Sequence, residues 1–66
     1  MPMAIYELWR ERDKKTFDAQ ADNEGHALAV FQKQLGVTLS LKGPGAPQYL
    51  LRRVGDDSRI EVFDAR

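Results

Sequence analysis

The single histidine, His26, is the side chain best able to transfer a proton near neutral pH. No serine lies in a motif that would activate it as a nucleophile, and the chain has no cysteine. His26 falls in the first turn of a predicted helix, a position typical of a solvated polar residue. We therefore expect no catalytic residues, and we expect that the protein is not an enzyme.

Two further segments contain residue types that occur in ligand sites. Asp56 and Asp57, together with Asp64, offer the carboxylate oxygens that a hard cation prefers. They lack the spacing of a calcium loop, and aspartate is among the commonest turn residues. Residues 42–45, Lys-Gly-Pro-Gly, are glycine-rich, but proline provides no N–H donor for a phosphate and a predicted strand follows. We therefore expect no metal, no cofactor and no small-molecule ligand.

Basic and aromatic side chains occur together in two distant segments. The set comprises Trp9, Arg10, Arg12, Lys14, Lys15, Tyr49, Arg52, Arg53 and Phe63. Such a combination can stack bases and contact phosphates. However, 10 basic residues are balanced by 10 acidic residues, whereas nucleic-acid binding draws much of its affinity from a basic excess. A nucleic-acid-binding module is therefore the alternative interpretation.

The length of 66 residues allows one domain, residues 1–66, with a small core. Self-association would stabilise so small a domain, which makes a homodimer an open hypothesis. The absence of cysteine fits a reducing cytoplasm. Glu7 and Arg10 interrupt the apolar N-terminal residues, and no apolar stretch approaches the ~20 residues needed to cross a bilayer. We therefore expect a cytoplasmic protein with no membrane contact.

The alternation of apolar and polar residues predicts a first hairpin over residues 4–21, with a charged tip. A helix is predicted over residues 23–35, where apolar residues form one stripe. The stripe consists of Ala27, Leu28, Phe31 and Leu35. Asp22 or Asn23 can cap the start of this helix, and Gly36 suits its end because glycine adopts the left-handed conformation easily.

The second half of the chain predicts a loop and another hairpin. Two prolines and two glycines make residues 42–47 a loop, and residues 48–64 form the second hairpin. Residues 37–41 alternate strictly, as a short strand or an extended arm along the sheet edge would. The predicted fold class is α+β: an antiparallel sheet of four strands, or five if residues 37–41 pair, with one helix on one face and the order ββα(β)ββ.

One helix can cover only one face of such a sheet. The covered face is predicted to contain Tyr6, Leu8, Phe17, Ala19, Tyr49, Leu51, Ile60 and Val62. The opposite face then carries Ile5, Trp9, Leu50, Val54 and Phe63, interleaved with Glu7, Arg52 and Glu61. Apolar patches of this kind often mark interaction surfaces. A one-residue shift in register would instead place Trp9 and Phe63 in the core.

The order of elements, the length and the segment 49–60, Tyr-Leu-Leu-Arg-Arg-Val-Gly-Asp-Asp-Ser-Arg-Ile, resemble the small stand-alone bacterial domains grouped only as families of unknown function. The resemblance covers most of the chain and implies a fold plan without an activity or functional residues. The plan differs from the RNA-recognition motif, which needs two helices, and from the double-stranded-RNA domain, which has helices at both ends.

These patterns lead to one main functional hypothesis. We expect a non-enzymatic interaction module that acts through the uncovered sheet face, either as a homodimer or with a different protein partner. The predicted binding residues are Trp9, Arg10, Arg52 and Phe63.

Overall fold

The computed structural model describes residues 3–65, so that residues 1, 2 and 66 of the predicted domain lie outside the described residues. Within that range the chain forms five strands and one helix. They are β1 (Ala4–Arg10), β2 (Thr16–Ala21), α1 (Glu24–Leu35), β3 (Leu39–Ser40), β4 (Tyr49–Arg53) and β5 (Ile60–Asp64). The predicted α+β class with an antiparallel sheet is confirmed, and the segment 37–41 supplies a fifth strand of two residues.

The two hairpins join where β1 of the first hairpin pairs with β4 of the second. The strand order is β2-β1-β4-β5-β3, and every neighbouring pair is antiparallel. In the middle of the sheet, Leu8 of β1 lies opposite Phe17 of β2 on one side and Leu51 of β4 on the other. The short strand β3 pairs with the outer edge of β5. The sheet therefore depends on pairing between the first and last thirds of the chain.

The helix α1 begins and ends at the residues that the sequence favours. Asn23 has an extended backbone, and its side chain accepts a 2.9 Å hydrogen bond from the backbone N–H of His26. Gly36 ends the helix at φ +69°, and its N–H donates to the Gln32 carbonyl oxygen. No helix within residues 3–65 has the length and apolar character required to cross a membrane.

The core lies between α1 and the sheet face that the helix covers. Its largest fully buried side chains are Phe31, Leu8, Leu51 and Val62. Burial of each of these contributes about 1.5–3 kcal/mol relative to exposure. The helix contacts both edge strands, β2 and β3, as well as β1, because the sheet curls around it. The covered face is therefore concave and the opposite face is convex.

Candidate interaction surface

The convex sheet face carries the side chains that point away from α1, and we call it the open face. Its main residues are Ile5, Glu7, Trp9, Thr16, Asp18, Gln20, Leu50, Arg52, Val54 and Glu61. The register shows no one-residue shift, because Trp9 lies opposite Thr16 and Leu50 while buried Leu8 lies opposite Leu51. Trp9 therefore belongs to the open face and not to the core.

Two apolar pairs lie along β1 and β4 on the open face, the second of them including Val54 just after the end of β4. Trp9 and Leu50 are directly opposite one another, and both are only partly buried. Toward the other end, Ile5 accepts a 2.8 Å backbone hydrogen bond from Val54, and these two side chains are 47% and 50% exposed. Apolar side chains thus remain accessible on β1 and at the end of β4.

A charged pair separates the two apolar pairs. Glu7 lies directly opposite Arg52, and a guanidinium nitrogen of Arg52 is 3.2 Å from a Glu7 carboxylate oxygen. The two side chains remain 27% and 30% exposed, and because solvent screens the pair its contribution is modest, roughly 0.2–1 kcal/mol. Glu7, Trp9, Leu50, Arg52 and Arg59 together line a shallow depression of about 260 Å³.

The tip of the first hairpin approaches Trp9 from one side. The Nζ atom of Lys14 lies 4.9 Å from the centre of a Trp9 ring, a cation–π contact worth about 0.5–1 kcal/mol at an exposed site. Lys14 also pairs with Glu11 at 2.8 Å, and its own backbone adopts φ +61° in the turn. The turn thereby places an ammonium group beside the indole.

Arg10 lies on the other face of the sheet. It is opposite Tyr49, whose side chain is in the core, and its guanidinium carbon lies 5.0 Å from the centre of the Phe17 ring. The Arg10 guanidinium donates hydrogen bonds of 2.9 and 2.7 Å to the two carboxylate oxygens of Asp13. These bonds hold the pKa of Asp13 well below its ordinary value. Arg10 therefore stabilises the hairpin turn and is not part of the open face.

Phe63 belongs to the open face by register, because it lies opposite Ser40 rather than opposite a core residue. Only 9% of Phe63 is nevertheless exposed. Residues 42–44 of the loop lie beside it, with Gly43 directly against the phenyl ring. The aromatic surface available to a partner is therefore that of Trp9.

The structure thus brings together two of the four predicted binding residues, Trp9 and Arg52, in one depression. Arg10 is on the opposite face, and Phe63 is on the same face but covered. Arg59 lines the same depression but is absent from the predicted uncovered face. Arg59 precedes Glu61 by two residues, and alternate residues of an extended strand share a face. This spacing could have placed Arg59 on the uncovered face.

His26 and Asp56 have structural roles. His26 accepts a 3.2 Å hydrogen bond from the Asp22 backbone N–H through Nδ1, so that its ring is part of the start of α1. The Ser58 backbone N–H donates a 2.9 Å hydrogen bond to the Asp56 carboxylate, which lowers the pKa of that group. Among residues 3–65, no cluster of three or more His, Asp or Glu side chains could hold a metal ion.

Comparisons with protein-family models, curated proteins and solved structures give no match to this chain. This agrees with a resemblance that rests on the general plan of the fold and on no specific family.

Proposed function

We propose that the protein is a non-enzymatic interaction module whose open face binds another protein surface. The observation that supports this is the accessible apolar area on the two central strands and at the turn that follows β4, formed by the pairs Trp9–Leu50 and Ile5–Val54. Tryptophan is among the residues that most often dominate binding energy at protein interfaces. The adjacent Glu7–Arg52 pair supplies polar groups that can fix the orientation of a partner.

The test replaces the central aromatic residue and measures association. Trp9→Ala should weaken binding of partners by at least about 2 kcal/mol, as expected for an interface hot spot. Leu41→Ala is the matched control, because Leu41 is 48% exposed but follows the edge strand β3, away from the Trp9–Leu50 pair. The readouts are sedimentation velocity and quantitative affinity capture, with circular dichroism to establish that both variants fold.

Loss of association in Trp9→Ala but not in Leu41→Ala would support the proposal. Identical oligomeric state and identical captured proteins for wild type and folded Trp9→Ala would refute it.

Nucleic-acid binding is the alternative proposal, through Arg10, Arg12, Arg52 and Arg53. Arg10 and Arg52 are each engaged by an acidic side chain, Asp13 and Glu7, which reduces the charge they offer to phosphates. A gel shift with single- or double-stranded probes at low salt, weakening steeply as salt is added, would favour this alternative. Absence of any shift at low salt would eliminate it.

A further inference from the structure

The open face carries a row of four charged residues that is divided by sign. Asp18 of β2 lies opposite Glu7 of β1, and Glu7 lies opposite Arg52 of β4. Ile60 lies opposite Leu51, and continuing this register by one residue places Arg59 beside Arg52. The row across the sheet is therefore acidic, acidic, basic, basic.

This arrangement places like charges on neighbouring strands twice, at Asp18 and Glu7 and at Arg52 and Arg59. Like charges in directly opposed positions of a sheet are destabilising. Only the central pair, Glu7 with Arg52, forms an ion pair; within residues 3–65 the outer two residues form none. Asp18 and Arg59 are exposed on the open face and remain available to charges on another molecule.

From this pattern we infer that the occupant of the open face is a second copy of the same chain. The two copies are related by a two-fold axis that lies in the interface between the two sheets, parallel to the strands and midway between β1 and β4. This inference rests on the proposed function, since it names the partner of the same surface. The axis exchanges β1 with β4 and β2 with β5. It therefore sets Glu7 against Arg52 of the second copy, and Asp18 against Arg59 of the second copy.

The apolar pairs match under the same operation. Trp9 faces Leu50 of the second copy, and Ile5 faces Val54 of the second copy, so that both apolar pairs meet across the interface. Face-to-face sheets pack with their strands aligned to within about 30° and about 10 Å apart, which a two-fold axis parallel to the strands permits. Such a dimer is isologous, with the same patch used on both subunits.

The charged row also disfavours a second face-to-face arrangement. A two-fold axis running across the strands through this row would set Glu7 against Glu7 and Arg52 against Arg52 of the second copy. Like-charge contacts of this kind disfavour the arrangement. Because the open face is convex, contact is centred on β1 and β4, where the apolar pairs lie, and the Asp18–Arg59 contacts lie toward the rim.

Complementary charge reversals test this geometry. Asp18→Arg and Arg59→Asp should each weaken the homodimer about tenfold, because each change occurs twice in an isologous interface and turns two attractive contacts into repulsive ones. An equimolar mixture of the two variants should regain the wild-type affinity, since the introduced arginine then faces the introduced aspartate. Sedimentation equilibrium at about 50 mM salt, where surface charges are weakly screened, measures all three dissociation constants.

Asp57→Arg and Lys33→Glu are matched controls. They make the same changes in net charge at exposed residues, in the β4–β5 turn and on α1, which lies on the other side of the sheet from the open face. Both controls should dimerise as the wild type does.

The outcomes separate this inference from the proposed function. A wild-type chain that stays monomeric up to about 1 mM, or a mixture of reversed variants that fails to reassociate, would overturn the two-fold dimer. If Trp9→Ala then still abolishes capture of a different protein, the interaction module stands without the dimer. Restored association in the mixture, with both controls unchanged, would establish the second copy as the partner.

Discussion

Gly43 lies so close to Phe63 that a Cβ atom at position 43 would stand 2.9 Å from both Cβ and Cγ of the phenylalanine. Real Cβ atoms do not approach so closely, so any side chain here forces the loop away from β5. Gly43→Ala should therefore expose the phenyl ring and lower the free energy of unfolding by about 1–3 kcal/mol. Urea denaturation and hydrogen exchange along β5 would measure both effects.

Ala46→Ser is the control for that change, because it adds one atom to an exposed residue of the same loop. Unchanged stability in Gly43→Ala, with β5 exchange also unchanged, would show that the loop does not seal Phe63.

The faces of the strands could be predicted from the sequence because the period of a strand is two. The alternation in residues 16–21, for example, places Phe17 and Ala19 on the helix side, as the register confirms. The cover over Phe63 could not be predicted in this way. It depends on the position of a loop that contains two glycines and two prolines, whose path no periodic pattern specifies.

The row of charged residues across the sheet could not be predicted from local sequence patterns either. Glu7 and Arg52 are 45 positions apart, and their contact depends on β1 pairing with β4 at one particular register. The sequence predicted two hairpins but not which strands would join them. The position of Arg10, by contrast, could have been predicted from the sequence, because adjacent residues of a strand point to opposite faces and Arg10 follows Trp9.

Asn23 caps α1, and its removal should destabilise the protein. Asn23→Ala deletes the acceptor for the His26 N–H and should cost about 1 kcal/mol of unfolding free energy. Asn23→Asp is the control, since aspartate caps helices about as well as asparagine. Thermal or urea unfolding followed by circular dichroism would measure the difference. Equal stability of the alanine and aspartate variants would contradict a capping role.

Phe31 occupies the centre of the core on α1, with no exposed surface. Phe31→Ala should lower the unfolding free energy by about 3–5 kcal/mol, because it removes buried area and leaves a cavity. For so small a domain, that loss approaches the whole stability. Gln34→Ala, at an exposed site on the same helix, should change the stability little. If Phe31→Ala unfolded cooperatively at the same denaturant concentration as the wild type, the assigned core would be wrong.

The Arg10–Asp13 pair should make stability depend on pH. The pKa of Asp13 is lowered in the folded protein, so the pair stabilises the fold above the unfolded value of about 3.9 and loses its effect as pH falls from there toward the folded value. Asp13→Asn should therefore be less stable than the wild type at neutral pH, and the gap should close in strong acid. Urea unfolding across a pH series would measure this, and a gap independent of pH would contradict it.

The aromatic side chains are divided between the two sides of the sheet. Tyr6 and Tyr49, the two tyrosines of the chain, are 3% and 6% exposed in the core, whereas the single tryptophan, Trp9, lies on the open face. The protein thus contains two intrinsic optical reporters. Tyrosine absorbance in the near ultraviolet follows the integrity of the core, and the wavelength of tryptophan emission follows solvent access at the convex surface. Association and unfolding can therefore be distinguished in one unlabelled sample.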